Sequence, residues 1–397
     1  MLKKIKHSAQ HSLDWYFFGG VIFLVLLGLL AVYDSSSVKA LEIYGNQFHF
    51  LINQLIWVAL GTAGGSVLYL VGYRRLKGLA LPFFALSILL LTLVLLPTPV
   101  SLEVRGSRSW FAIPLPNSFP VLDEIRFQPS ELSKLALVIY LATLLVSSRS
   151  DRRQTNPPFR SFFIPTGLVA GLVIAEKDLG SASVIIAIGL ACFFFARANL
   201  RQIFIALLIF GVGGLALALQ SSTFLERWET FLHPDSDPQG AGYQTRQIRI
   251  TLGSGGLWGV GIGRSLQKYG YIPDVQTDAI FAIVGEEFGF LGASLVVAVF
   301  AFLVYRGFRI AERSPDEFGR ILVAGITAWV AVQTTLILGG MVGLLPLTGV
   351  TLPFVSYGGS SLLALLLAVG ILLSVSRKTI SLRSAINRHA VVLRSAR

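Results

Sequence analysis

Several ionisable residues lie at the edges of long apolar runs, where they could do chemistry at a membrane surface. Asp278 directly precedes such a run, Glu131 and Lys134 open another within "RFQPSELSKLALVIYLA", and Asp178 lies in the short connection "EKDLGSAS". A carboxylate can take a proton from an attacking hydroxyl, and an ammonium group can stabilise developing negative charge. The four residues are therefore candidates for one acid–base site.

Each of the four also has a purely structural explanation. Glu131 and Lys134 are three residues apart, so they share a helix face and could form an ion pair that helps the helix begin. Asp178 and Asp278 each precede a helical run and could be N-caps. Both explanations stay open for each residue taken alone. All four fall at the outer ends of their helices, which favours a shared cavity open to water.

Two further acids, Glu286 and Glu287, follow Asp278 within the same apolar run. At 1.5 Å and 100° per residue, Glu286 lies about 12 Å further along the helix and points about 80° away. The three acids therefore cannot line one cluster. We expect the two glutamates to pair internally with other spans.

The composition determines which elements must position these residues. Hydrophobic residues make up 54% of the 397 residues and charged residues only 14%, whereas a soluble domain carries about 25% charged residues. Ten stretches are apolar and long enough to cross a bilayer as helices. They lie near 15–34, 50–72, 79–97, 131–147, 162–176, 180–196, 201–220, 278–305, 321–345 and 351–376. The predicted fold is an all-α polytopic membrane protein with ten transmembrane helices in a single domain, residues 1–397.

The basic residues predict the orientation. Alternate connections hold 22 of the 33 Lys and Arg residues, and basic connections stay in the cytoplasm, so we expect both termini there. The net charge of +12 suits contact with anionic lipids. A basic face interleaved with aromatic residues, which nucleic acid would require, is absent. The single cysteine, Cys192, lies within a span and allows neither a disulfide framework nor a cysteine-based metal site.

This orientation places residues 35–49, 98–130 and the long loop 221–277, between spans 7 and 8, outside the cytoplasm. Loops of that length are usually functional or disordered. The long loop carries many apolar residues, including Trp228 and Trp258, so we expect it to lie on the membrane surface or pack against the bundle. Its stretch "GSGGLWGVGIG" lacks the spacing of a dinucleotide-binding loop, and a nucleotide site is not predicted.

Seven segments together resemble the signatures of the SEDS family of shape, elongation, division and sporulation proteins. They are "GSRSWF", "FQPSELSKLAL", "DLGSA", "DPQGAGYQ", "GLWGVGIGRSLQKYGYIP", "QTDAIFAIVGEEFGF" and "LPLTGVTLPFVSYGGSSLL". They occur in the family's order, and the resemblance runs from the first span to the last. The stretches "YDSSS" and "FHFLINQLIW" and the last segment resemble the FtsW and SpoVE members more than RodA.

The resemblance implies a peptidoglycan glycosyltransferase that polymerises lipid II outside the bacterial cytoplasmic membrane. The implied partners are a class B penicillin-binding protein and other division or elongation proteins. The family's essential aspartate matches Asp278, the expected catalytic base. Substrate-binding candidates that lie in matching segments are Glu131, Lys134, Asp178, Lys268, Gln244 and Thr277. Lys177, Ala279 and Ser236 stand where the family usually has Pro, Phe and Glu.

Such a reaction releases a lipid pyrophosphate, whose charge needs cationic partners or a divalent ion such as Mg²⁺ or Mn²⁺. Lys134 and Lys268 are the favoured protein cations and Arg246 a weaker one. The resemblance implies no organic cofactor. An α-linked donor that becomes β-linked in a single displacement would make the enzyme inverting.

Two other functions stay open. A flippase for lipid-linked precursors would need polar groups that continue across the bundle to the cytoplasmic face, whereas the polar residues concentrate on the outer side. A non-catalytic scaffold for a penicillin-binding protein would not need Asp278. Replacement of Asp278 therefore distinguishes a scaffold from an enzyme.

Overall fold

The computed structural model describes residues 13–104, 107–114, 124–148, 156–234, 240, 242–269, 272 and 274–395. Several residues on which the sequence analysis made predictions lie outside these ranges. They are the basic residues Lys3, Lys4, Lys6, Arg149, Arg152 and Arg153, Ser236, which differs from the usual residue of the family, and most of the "DPQGA" stretch.

Helices dominate the described chain because a backbone in lipid must satisfy its own hydrogen bonds. In chain order they are α1 (Trp15–Tyr44), α2 (His49–Val71), α3 (Leu76–Leu95), α4 (Pro129–Ser147), α5 (Phe159–Ala175), α6 (Leu179–Phe195), α7 (Leu200–Ala218), α8 (Ser222–Leu232), α9 (Tyr243–Ser254), α10 (Val275–Asp278), α11 (Ile280–Glu312), α12 (Glu317–Met341) and α13 (Gly359–Ser395). Eight of them, namely α1 to α4, α7 and α11 to α13, are long and apolar enough to cross a membrane.

The predicted all-α polytopic fold is confirmed, and the chain is a multi-pass membrane protein. The apolar helices α5 and α6 have only 17 residues each, at the lower limit for crossing a bilayer. The count of ten spans requires both to cross as well, and it stays a prediction. The predicted loop 221–277 contains α8, α9, a 3₁₀ turn at Gln267–Tyr269 and most of α10.

A small antiparallel sheet was not predicted. Its strands are β1 (Ser101–Val104), β2 (Ser107–Pro114) and β3 (Glu124–Phe127), in that order, with Phe111 opposite both Ser101 and Phe127. Strands are possible here because the 98–130 segment lies between α3 and α4 and not within a helix. Ser107 of β2 donates a hydrogen bond to the backbone carbonyl of Glu176, so the sheet lies against the turn between α5 and α6.

The second and last transmembrane helices pack closely along parallel paths. A Cβ on Gly65 of α2 would lie 2.6 Å from the carbonyl oxygen of Leu366, and a Cβ on Gly370 of α13 would overlap the carbonyl of Gly65. Gly61, one turn earlier, faces the side chain of Leu366, whose Cδ1 would lie 2.7 Å from a Cβ at that position. Small residues four apart let two helix backbones approach in lipid, where van der Waals packing drives association.

Helix α11 is interrupted at Gly289, whose φ of 67° and ψ of −170° are not helical. The glycine-rich segment, residues 253–269, docks at this break. Its Val260 amide donates to the carbonyl of Glu286 at 2.9 Å, and the Phe290 amide of α11 donates to the carbonyl of Gly256 at 2.9 Å. A Cβ on Gly259 would overlap the carbonyl of Glu287, so the glycines of this segment allow the two backbones to touch.

Ion pairs join the helices at the end of the bundle opposite Asp278. Asp316 accepts hydrogen bonds from the Tyr73 hydroxyl at 2.8 Å and from Arg74 at 3.0 Å, which ties the start of α3 to the start of α12. Arg306 of α11 binds Asp14 at the start of α1 at 3.0 Å. These contacts fix the far ends of the helices that carry the candidate site.

Candidate functional site

Asp278 lies at the junction of two helices. It is the last residue of α10, it is half-buried, and α11 begins two residues later at Ile280. The N-cap position of α11 is Ala279, whose methyl side chain makes no capping hydrogen bond. The explanation of Asp278 as the N-cap of this span is therefore wrong, because the short helix α10 ends between the aspartate and α11.

The loop between α12 and α13, residues 342–358, holds the chain beside Asp278. The Ser356 hydroxyl donates to the carbonyl of Thr277 at 2.6 Å, and the Tyr357 amide donates to the carbonyl of Gln276 at 2.9 Å. Gln54 of α2 in turn donates to the Ser356 carbonyl at 3.1 Å. The backbone that leads into Asp278 is thereby fixed to the loop that precedes α13, and through this loop to α2.

Tyr357 lies close to this junction and stays uncharged. Its hydroxyl accepts a hydrogen bond from Asn53 of α2 at 2.9 Å. Burial raises the pKa of Tyr357 to about 12, although the nearby positive charge of Arg126 acts in the opposite direction. The phenol therefore contributes a neutral polar group beside the candidate site.

Glu131 and Lys134 form the ion pair that their spacing predicts. Lys134 Nζ lies 2.7 Å from Glu131 Oε1 and 3.0 Å from Gln333 Oε1 of α12. The Lys134 side chain is fully buried and Glu131 is 4% exposed. The Trp329 indole also donates to Gln333 Oε1, and Gln333 donates to the carbonyl of Thr351 in the 342–358 loop at 2.9 Å. The pair thus connects to the same loop that fixes Asp278.

Asp178 is the N-cap of α6, as its structural explanation predicted. Its Oδ1 accepts a hydrogen bond from the Ser181 amide at 2.9 Å, and its Oδ2 accepts one from Gln128 at 3.3 Å. The backbone amide of Gln128 donates to the Ser360 hydroxyl at 2.9 Å. Asp178 therefore caps α6 and is also connected, through Gln128, to the first turn of α13.

Glu176 adds a buried acid next to Asp178. It lies in the turn between α5 and α6 and is 1% exposed. Burial raises its pKa from 4.5 to about 9, and the negative charge of Asp178 raises it further. Glu176 is therefore protonated at neutral pH in the folded protein.

The remaining predicted residues lie next to Asp278 in the chain, at the end of the glycine-rich segment and on α9. Thr277 directly precedes it, and its hydroxyl donates to the carbonyl of Asp274 at 2.7 Å. Lys268 Nζ lies 3.1 Å from Asp34 Oδ1 of α1. Gln244 and Arg246 lie on α9, Gln244 half-buried and Arg246 exposed. Within the described ranges, the structure gives no hydrogen bond that joins Gln244 to the other candidates.

The prediction that Glu286 and Glu287 pair with other spans is largely wrong. Glu286 accepts hydrogen bonds from the hydroxyls of Ser254 and Ser265, and Glu287 accepts them from the backbone amides of Gly263 and Ser265. The partners lie in α9 and the glycine-rich segment because that segment enters at the break in α11. Among the described residues, Glu287 also interacts with another span, through the Asp34 carboxyl group of α1.

Two expectations about the site as a whole stay predictions. The first is a cavity that is open to water and shared by the four ionisable residues. In the structure, Lys134 and Glu131 are buried. Among the residues that the structure describes, no group of three or more His, Cys, Asp or Glu side chains is arranged to hold a metal ion. A divalent cation at the site stays a prediction, because one or two carboxylates together with substrate phosphates can hold such an ion.

Three connecting residues were missed: Gln333, Ser356 and Gln128. Gln333 is a polar residue within an apolar run, which is a signal of function or pairing inside a membrane. Ser356 lies in "FVSYGGSS", a polar stretch within the last of the family segments. Gln128 stands in "FQPSE", directly before the residues that were singled out.

Comparison with known proteins identifies the group to which this architecture is related. Residues 14–381 match the family model FTSW_RODA_SPOVE, described as "Cell cycle protein". Stage V sporulation protein E of Bacillus subtilis is 37% identical over 90% of this chain and 94% of its own length. A protein described as "Probable peptidoglycan glycosyltransferase FtsW" from Thioalkalivibrio sulfidiphilus is 39% identical over 91% of this chain and 88% of its own.

Two solved structures have a similar fold. A chain from a structure described as "Structural coordination of polymerization and crosslinking by a peptidoglycan synthase complex" is 30% identical with a TM-score of 0.72. The rod shape determining protein RodA of Thermus thermophilus is 29% identical with a TM-score of 0.66. Each alignment covers 93% of this chain and 98% of the other.

Proposed function

Because the chain belongs to the FtsW, RodA and SpoVE family of cell cycle proteins, we propose that it is a peptidoglycan glycosyltransferase. In this proposal it polymerises lipid II into glycan strands at the outer face of the bacterial cytoplasmic membrane, in cell division or cell-shape maintenance. The observation that carries the proposal is Asp278: a half-buried carboxylate that does not cap α11, on a backbone fixed by the 342–358 loop.

Asp278 acts as the general base. Its carboxylate takes the proton from the acceptor sugar hydroxyl while the hydroxyl oxygen forms a bond to the anomeric carbon of the donor. The bond between that carbon and the pyrophosphate oxygen breaks, and its electron pair leaves with the lipid pyrophosphate. One displacement inverts the anomeric centre. Pyrophosphate is a good leaving group without a protein acid, so a single carboxylate is enough.

The negative charge of the leaving group requires a cation that can reach it. Lys134 is fully buried between Glu131 and Gln333, and Lys268 is bound to Asp34. In this conformation both lysines neutralise internal carboxylates, which argues against direct contact with a substrate. We assign the contact to the exposed Arg246 of α9, with Gln244 and Thr277 as further polar groups that bind the substrate. A divalent cation remains an alternative source of positive charge.

The test replaces Asp278 by Asn, which keeps the size of the side chain and removes the base. We expect the purified variant to bind lipid II and to lose polymerisation by about 10²–10⁴-fold, the usual contribution of a general base. The matched control is Asp274→Asn, four residues earlier, where the carboxylate forms a partly exposed ion pair with Lys39 and wild-type activity is expected. Polymerisation at the wild-type rate by folded Asp278→Asn protein contradicts the assignment.

We also propose that the chain works with a class B penicillin-binding protein, because a relative of similar fold belongs to a synthase complex described as coordinating polymerisation and crosslinking. Helix α2 presents exposed apolar side chains to lipid, including Leu60, Val67 and Leu70, and a partner's transmembrane helix can pack on such a face. The two proteins are expected to co-purify in detergent. Full activity of the isolated chain would contradict dependence on a partner.

A further inference from the structure

The first transmembrane helix is joined to the glycine-rich segment by an ion pair that is largely removed from solvent. Lys268 Nζ lies 3.1 Å from Asp34 Oδ1, and the two side chains are only 10% and 11% exposed. Lys268 also donates a hydrogen bond to the carbonyl of Gly263. Lys268 therefore binds α1 and its own segment at the same time.

The same segment is also held by α11. Glu287 Oε1 accepts hydrogen bonds from the amides of Gly263 at 2.8 Å and Ser265 at 3.4 Å. Glu286 accepts a hydrogen bond from the Ser265 hydroxyl as well. Glu287 and Asp34 also interact electrostatically, so Asp34 faces a carboxyl group of α11 as well as the Lys268 ammonium.

We propose that Asp34 and Lys268 are positioning residues for Asp278, and this inference rests on the proposed function. They clamp the glycine-rich segment between α1 and α11, and the chain that leaves the clamp reaches Asp278 ten residues after Lys268. The 342–358 loop fixes the last residues before Asp278 through Thr277 and Gln276. The clamp therefore fixes the position of Lys268, at the start of residues 268–278, and the loop fixes the residues just before Asp278.

The two ends of the stretch have different physical properties. The 342–358 loop binds the backbone carbonyls of Gln276 and Thr277 through neutral hydrogen bonds, whereas the clamp depends on charge. Loss of one member of a buried ion pair leaves the other charged and uncompensated, so the segment must move or admit water. A displacement of about 1 Å at a reacting group can lower turnover about 10²-fold. Asp34 and Lys268 can therefore control catalysis without any contact with substrate.

A charge-exchange experiment tests the clamp. Asp34→Asn and Lys268→Met are each expected to lower kcat by about 10²-fold with little change in KM, because substrate contacts are retained. The exchanged pair, Asp34→Lys with Lys268→Asp, is expected to recover at least tenfold over either single variant. The matched control is Lys39→Gln, which breaks a pair between the same helix and Asp274 that is 39% and 44% exposed. It should behave as wild type, because exposed pairs contribute little.

A second readout measures the position of the segment without any turnover. Ile272, between Lys268 and Asp278, is 2% exposed, so Ile272→Cys in a Cys192→Ala background should resist maleimide in the otherwise unchanged protein. Asp34→Asn should raise its labelling rate at least tenfold, and Lys39→Gln should not. Exposed Ile262→Cys provides the reference for full labelling.

The outcomes separate the clamp from the proposed function. A protected Ile272→Cys in Asp34→Asn protein, or a loss of kcat that the exchanged pair does not reduce, overturns the inference. If the single variants fail to fold, Lys268→Arg replaces them. In that variant, a reactive thiol at Ile272→Cys together with an unchanged kcat also overturns the inference. If Asp278→Asn polymerises normally, the proposed function fails, and the labelling result still decides whether the clamp exists.

Discussion

At the scale of single residues, Glu176 makes stability depend on pH. The folded protein binds its proton more tightly than the unfolded chain, because the pKa rises from 4.5 to about 9 on burial beside Asp178. The stabilisation is complete below about pH 4.5 and is lost as the pH rises through about 9. We expect Glu176→Gln, which cannot ionise, to gain in Tm relative to wild type as the pH increases from 5 to 9.5.

Thermal unfolding in detergent at several pH values checks this expectation. The control is Glu229→Gln on α8, where the side chain is exposed and the difference in Tm should not vary with pH. A constant difference for Glu176→Gln would show that its carboxyl group titrates normally.

The Glu131–Lys134 pair gives a second prediction at this scale. Lys134→Met leaves a buried carboxylate uncompensated, so it should lower the free energy of unfolding by about 3–5 kcal/mol. The double variant Glu131→Gln with Lys134→Met removes both charges and should recover most of that loss. Arg108→Met breaks a pair with Glu103 that is 39% and 51% exposed, and it should cost less than about 1 kcal/mol. Denaturant titration provides the comparison, and additive losses in the double variant would contradict coupling.

At the scale of elements, the break in α11 and the glycine-rich segment form one structural unit. Gly259 has a φ of 83°, and a Cβ there would overlap the Glu287 carbonyl. Gly259→Ala should therefore push the segment away from α11 and destabilise the protein by about 1–3 kcal/mol. Gly253→Ala in the same stretch meets nothing within 4 Å and should be neutral or slightly stabilising.

Protease cleavage in the 253–269 segment is a direct measure of this docking. Gly259→Ala protein should be cut faster than wild type, while Gly253→Ala protein should be cut at the wild-type rate. Equal rates for the two variants would mean that the close approach of Gly259 to α11 does not hold the segment.

At the scale of the whole molecule, the basic bias of alternate connections predicts which end faces the cytoplasm. A cysteine at Thr223, exposed on α8, should react with an impermeant maleimide added to intact cells, in a Cys192→Ala background. A cysteine at Gly78, near the start of α3 and also exposed, should react only after the cells are opened. The reverse pattern would invert the orientation and place Asp278 on the cytoplasmic side.

Local interactions were predictable from sequence and distant ones were not. The Glu131–Lys134 pair and the Asp178 cap depend on separations of three residues, which helix geometry fixes. The contacts of Lys134 with Gln333 and of Thr277 with Ser356 cross separations of 199 and 79 residues. Nothing in a local pattern specifies such partners, because they depend on how the bundle closes. The sheet was missed for the same reason, since β1 and β3 are short and form a sheet by pairing with β2.

The close contact between α2 and α13 determines when the protein can mature during synthesis. Helix α2 is complete at Val71, but its partner begins only at Gly359. The ribosome must therefore deliver almost the whole chain to the membrane before the groove at Gly61 and Gly65 is filled. Until then Gln54 and Asn53 lack the Ser356 and Tyr357 groups that they later bind. A nascent chain that is released before α13 emerges would hold every residue of the proposed clamp and Asp278 itself, yet the aspartate would have no fixed position.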